Sequence, residues 1–202
     1  LASDAGYMVF MVLGGFHNTL RSQTQKRLNR ELRDQAPQRW HTLTDVETDF
    51  QIPGGITGAA GFLGPRCTPR VLVVIKKNDK RLARLQEWLN AAGPSVLASC
   101  PTLVIDDEAD QASINVGDSA SDPSKINAKI IALLGSLPKS AYVGYTATPF
   151  ANILINPAVE EDLYPRDFIV SLPRPNDYFG AETVFGRDRL DADESDAAVE
   201  GL

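Results

Sequence analysis

Five short runs of apolar residues, rich in β-branched side chains, punctuate the chain: Tyr7–Leu13, Val71–Ile75, Thr102–Ile105, Ala141–Tyr145 and Phe168–Leu172. Several are apolar at every position rather than at alternate ones. That pattern predicts strands covered on both faces, as in a parallel sheet, because an antiparallel strand with one wet face would alternate. Between the runs lie segments with helical spacing. Thr19–Asp34 sets Leu20, Leu28 and Leu32 among Arg, Gln and Lys. Asp79–Ala92 places Leu82, Leu85 and Leu89 on one face with Trp88 beside them, and Gly93-Pro94 as a stop signal. Lys125–Leu137 repeats the spacing with Ile126, Ile130, Leu133, Leu134 and Leu137, ahead of Pro138. Strand and helix in alternation predict a wound α/β fold, a parallel sheet sandwiched in three layers by helices on both faces.

Two stretches break the alternation. Gln51–Pro69 holds Gly54, Gly55, Gly58, Gly61 and Gly64 with three prolines, which predicts a surface loop or substrate-facing insertion rather than a regular element. The end of the chain, from about Asp188, is acidic, with Asp191, Asp193, Glu194, Asp196 and Glu200 and no base after Arg189. It predicts a linker or frayed terminus. The expected division is one domain over residues 1–180 and an acidic tail over 181–202.

Composition adds limits. With 202 residues, 43% hydrophobic and 23% charged, the chain suits one globular domain with a sizeable core. No apolar run approaches the ~18 residues of a membrane span. Cys67 and Cys100 are the only cysteines, and His17 and His41 the only histidines. They lack the close-spaced pairs of a zinc site, and two isolated thiols suit a reducing cytoplasm better than a disulfide framework. The net charge of −6 is uneven: residues 1–90 carry 13 Lys/Arg against 8 Asp/Glu, and residues 91–202 carry 7 against 18. Charge therefore speaks to partners through local patches rather than through the total.

The densest chemistry is Thr102-Leu-Val-Ile-Asp-Asp-Glu-Ala-Asp110, an apolar strand running into four acids within five residues. Such clustering is costly unless a cation or base compensates. In wound sheets the carboxyl ends of strands, where these acids fall, are where ligands collect. The next apolar run ends in Gly144-Tyr-Thr-Ala-Thr-Pro-Phe150. Taken singly, acids after a strand can cap a helix, and Thr-Ala-Thr-Pro can be a turn. As a pair, each at a strand end with one helix between, they resemble the Asp-Glu-Ala-Asp and Ser/Thr-Ala-Thr motifs of superfamily 2 helicases.

That resemblance implies a RecA-like domain of the P-loop NTPase class, ATP and Mg²⁺ as cofactors, and a role for each residue. Asp107 would hold the metal, Glu108 would orient or deprotonate the attacking water, and Asp110 would couple to Thr146 and Thr148. The Gly-x-x-x-x-Gly-Lys-Ser/Thr loop that cradles phosphates is not in the sequence. Leu1–Gly6 reads as the last turns of a helix closing on a glycine. The expectation is therefore a motor domain cut just after that loop, binding ATP poorly and inactive by itself.

The wording of several segments is closer still to one family. Asp4–Tyr7, Leu13–Asn18, Leu20–Gln25, Asp106–Gln111, Tyr145–Asn152 and Asp162–Phe168 resemble the bacterial Z-one domain, over the chain to about Gly180. This family carries an endonuclease label and is viewed as superfamily 2 helicase-like. It is associated with restriction and phage-defence systems that also encode a MutL/MORC-type ATPase, so a second motor domain and such a subunit are the implied partners.

Asn18, Arg21, Gln23 and Thr24 follow the first strand, and Lys76, Lys77 and Lys80 follow the next. Two basic, polar rims predict a groove for the DNA backbone, against the alternative of a solvated helix face. Two rival functions stay open. One is a metal-dependent endonuclease using Asp106, Asp107, Glu108 and Asp110, and the other a non-catalytic DNA- or partner-binding module. Trp40 and Trp88 are expected to pack, and His17 to be positional.

Overall fold

A computed structural model describes residues 1–52, 58–64, 67–110, 125–149, 152, 155, 163–173, 175–177, 179–180 and 186. The acidic tail, the middle of the glycine-rich stretch, and the segments 111–124 and 156–162 lie outside them. The chain separates into two compact units, Leu1–Arg166 and Asp167–Leu202.

The first unit is an α/β fold on a five-stranded, all-parallel sheet. In chain order its elements are β1 (Val9–Gly14), α1 (Asn18–Leu28), β2 (Trp40–Thr42), α2 (Ala59–Leu63), β3 (Arg70–Ile75), α3 (Asp79–Ala92), α4 (Pro94–Ala98), β4 (Thr102–Asp107), α5 (Lys125–Gly135) and β5 (Ser140–Tyr145). The sheet order is β2-β3-β1-β4-β5. Val9 sits opposite Val71 on one side and Thr102 on the other, so β1 is central and every one of its residues is buried.

Alternate strand residues feed two cores, one on each face. Met11, Leu13, Val73, Ile75 and Val104 meet Leu82, Leu85, Trp88 and Leu89 of α3 and Ile130 and Leu133 of α5. On the opposite face Phe10, Val12, Leu72 and Val74 form a smaller cluster with Leu28, Trp40, Leu103 and Ile105 packed against it. Both tryptophans pack. Trp88 meets Phe50 edge-on at 5.7 Å, and Trp40 meets Phe10 at 5.1 Å. No described helix is long and apolar enough to cross a membrane.

Three expectations change. The inward column of α1 is polar, Arg21, Gln25 and Asn29, whereas Leu20 is 37% exposed. The cause is the short β2, which stops pairing at Leu72 and leaves the buried Val74 N–H without a strand partner. The Thr44 hydroxyl accepts from Val74 N at 2.9 Å and donates to Gln25, whose amide donates to Asn29. A polar column is the cheaper solution where buried backbone groups must be satisfied. Helix α1 then widens into a π-type turn over Asn29–Arg33 instead of running to Asp34.

The glycine-rich stretch also folds in part. Its described residues include α2, whose Ala59 and Leu63 are buried in the larger core. Finally, Phe168–Leu172 in the second unit is neither a strand nor buried: Phe168, Ile169, Val170 and Leu172 are all exposed. Apolar character alone does not make a strand without a ladder to satisfy its backbone.

Candidate functional site

The carboxyl ends of β1, β3, β4 and β5 lie at one edge of the sheet, because all strands run the same way. Gly14 pairs with Asp107, and Asp107 with Tyr145. The parallel topology therefore gathers the residues after each strand: Gly15 to Asn18, Lys76 and Lys77, Asp106 to Asp110, and Thr146 to Thr148.

The four acids there have divided fates. Asp106 continues the inward face of β4 after Thr102 and Val104, and its side chain is fully buried. Lys77, equally buried, lies 2.6 Å from its Oδ1, and the Tyr142 hydroxyl donates to its Oδ2 at 2.6 Å. A carboxylate taken out of water needs such partners, because burying it without them is costly. Asp110 accepts from the Thr146 hydroxyl and the Thr148 hydroxyl, each at 2.7 Å, one to each oxygen. Burial pushes its carboxyl upward, but donation from Thr148, Thr146 and its own backbone N–H, with the Lys77 charge, holds it below the usual carboxylate value.

Asp107 and Glu108 are different. Both are half-buried, and neither carboxylate has a hydrogen bond or ion pair to a described residue. They face a cavity of about 300 Å³ whose other walls are Gly15, Leu20, Gln23, Thr24 and Arg27. Asp107 reaches it because strand alternation turns it away from Asp106, toward the α1 face. Glu108 reaches it through a left-handed backbone, φ +55°, which a residue with a Cβ seldom adopts. Gly15 also has positive φ, and a Cβ there would stand 3.2 Å from Glu108 Oε2.

The expected DNA-contacting residues separate. Gln23 and Thr24 line the cavity. Asn18 and Lys76 are joined on the exposed rim, Lys76 Nζ donating to Asn18 Oδ1 at 2.9 Å. Arg21 and Lys77 turn inward. Arg21 is 2% exposed and donates to the carbonyls of Asp45 and Val46 at 2.9 and 2.7 Å, so its charge closes a loop. Lys77 is bound to Asp106 and to the Glu108 carbonyl.

Arg27 was not singled out from the sequence, yet it shares the cavity with the two free carboxylates. The signal was available, since Leu20, Gln23, Thr24 and Arg27 follow helical spacing along one face of α1. Tyr142, the partner of Asp106, carries no such signal.

Among the described residues no group of three or more His, Cys, Asp or Glu is placed to hold a metal. One or two carboxylates do suit Mg²⁺, which keeps most of its waters and takes other ligands from substrate phosphates. The donor set of Asp107 and Glu108 therefore fits a magnesium–phosphate ligand better than a metal held by protein alone. Compared with family models, curated proteins and solved structures, the chain matches none.

Proposed function

We propose that the first unit is the core of a RecA-like first motor domain from a helicase-like, DNA-dependent ATPase, acting in the cytoplasm in a restriction or phage-defence setting. The observation that carries this reading is the division among the acids. Asp106 and Asp110 are satisfied inside the protein, while Asp107 and Glu108 face the adjoining cavity. In this reading Asp107 holds the water shell of Mg²⁺ and Glu108 orients the attacking water. The hydroxyls of Thr146 and Thr148 tie the acidic turn to the end of β5.

ATP would bring its phosphates and the metal together. The Gly-x-x-x-x-Gly-Lys-Ser/Thr loop that would cradle them is not in this sequence. Exposed Asn18 and half-buried Lys76, with Gln23 and Thr24, are the groups left to meet the DNA backbone. A second motor domain and a MutL/MORC-type subunit are proposed partners on the strength of the Z-one resemblance.

The endonuclease reading needs Asp106 and Asp110 as ligands too, and both are engaged elsewhere. DNA-stimulated phosphate release by the full-length protein, abolished by Glu108→Gln with ATP binding retained, is the expected result. Mg²⁺- or Mn²⁺-dependent nicking of supercoiled plasmid by this chain, lost on Asp107→Ala, would reverse the ranking. DNA binding that falls on Lys76→Ala, with neither activity present, would favour the binding module.

A further inference from the structure

Lys77 is an unusual residue to bury, and both contacts of its ammonium fall on the acidic end of β4. It follows β3, yet its ammonium reaches beyond β1 to the end of β4, two strands away in the sheet. Its backbone N–H donates to the Gly15 carbonyl at 2.9 Å, which fixes where the side chain starts. Its Nζ lies 2.6 Å from Asp106 Oδ1 and donates to the Glu108 carbonyl at 2.6 Å. Asp106 is held in turn by Tyr142 of β5. Through its backbone N–H and its ammonium, Lys77 thus joins the ends of β3, β1 and β4, and through Asp106 it meets Tyr142 of β5.

The residue it grips is the one whose backbone is least comfortable. Glu108 is the only described non-glycine residue with positive φ. Such a conformation persists only where the surroundings over-determine it. Two bonds do so here: Lys77 Nζ to the Glu108 carbonyl, and the following Ala109 N–H to the Tyr145 carbonyl at 2.9 Å. The left-handed turn is what carries the Glu108 carboxylate over Gly15 and into the cavity. A buried ion pair adds little net stability compared with apolar residues of the same shape, so the pair is better explained by what it orients.

We propose that Lys77 is a positioning residue: paired with Asp106, it clamps the Glu108 peptide in the left-handed conformation and so sets the direction of the Glu108 carboxylate. The clamp is a statement about the fold, and its catalytic consequence rests on the proposed role of Glu108.

The test removes both charges together, Lys77→Met with Asp106→Asn, because Lys77→Met alone would strand a buried carboxylate and endanger folding. Amide hydrogen exchange is read residue by residue on this chain. Loss of a charge-assisted bond predicts exchange at Ala109 at least about tenfold faster, with Val12 and Val73 in the central strands unchanged. Ala109 exchange that stays at the wild-type rate overturns the clamp. In the full-length protein, the double variant is expected to lose at least about tenfold in kcat for ATP with KM within about twofold, since ground-state binding does not use Glu108. A wild-type kcat, in a protein where Glu108→Gln abolishes turnover, overturns the positioning role. If Glu108→Gln leaves turnover intact, the hydrolysis reading fails, and the exchange rates still decide whether Lys77 holds the turn.

Discussion

Gly144 of β5 stands directly against Ala109: a Cβ built on the glycine would lie 2.9 Å from the Ala109 Cβ, closer than carbon atoms tolerate. Ala109 is fully buried, and its N–H donates to the carbonyl of Tyr145, the neighbour of Gly144. The smallness of both residues lets the acidic turn settle on the end of β5. From there Asp110 can reach the hydroxyls of Thr146 and Thr148. The alanine between Glu108 and Asp110 is thus fixed by packing.

Gly144→Ala must therefore push the turn away from β5. Overpacking of this kind costs about 1–3 kcal/mol, and urea unfolding is expected to show a loss in that range. The same variant should slow the hydrolysis assigned to Glu108. A stability equal to wild type would mean that the turn is free to move.

Arg21 gives a prediction that separates structure from DNA contact. Its guanidinium, itself buried, donates to the carbonyls of Asp45 and Val46. Arg21→Ala removes a buried side chain and the donor to the Asp45 carbonyl, leaving the Val46 carbonyl to the Ser22 hydroxyl, and is expected to destabilise the chain by about 2–4 kcal/mol in urea unfolding. Lys76→Ala, on the exposed rim, is expected to leave stability within about 0.5 kcal/mol and to flatten the salt dependence of DNA binding by about one phosphate contact. The opposite pattern would restore Arg21 to the DNA-binding surface.

The pH dependence of the acidic turn follows from Asp110. Its carboxyl is held below the usual value of 3.8, so the hydrogen-bonded form contributes stability above about pH 4. That contribution is lost as pH falls through the lower, folded-state value. Thr146→Val with Thr148→Val removes the two hydroxyl donors and leaves burial to act against the backbone N–H and the Lys77 charge. The Asp110 carboxyl should then rise, as followed by NMR titration. The stability difference between wild type and variant should also narrow on acidification below pH 4.

β1, β3, β4 and β5 were readable because their runs are apolar and rich in β-branched residues, and α3 and α5 because their leucines and isoleucines recur at helical spacing. The three-residue β2, Trp40-His-Thr42, carries no such run. The acidic turn and Thr146-Ala-Thr148 were readable because parallel strands put their ends on one edge. Hydrophobic patterning failed at α1, where Leu20 looked like the inward residue and Arg21, Gln25 and Asn29 are. What decides that face is the length of β2, a property of a different segment that α1 does not encode. Lys77 failed for a similar reason. A lysine after a strand reads as a solvated or DNA-facing charge, and only Asp106, two strands away, explains its burial.

Glu108 joins backbone strain to the role proposed for its carboxylate. At φ +55° a residue with a Cβ pays about 1–2 kcal/mol, whereas glycine adopts the region freely. Glu108→Gly relieves that strain but adds freedom to the unfolded chain, so a net gain of about 0.5–1 kcal/mol is expected in urea unfolding. Hydrolysis by the full-length protein should be lost in the same variant. A gain in stability with loss of turnover is the signature of a side chain kept for chemistry at the expense of its backbone. If Glu108→Gly is instead less stable than wild type, the carboxylate is stabilising the fold, and its assignment to an attacking water would lose its main support.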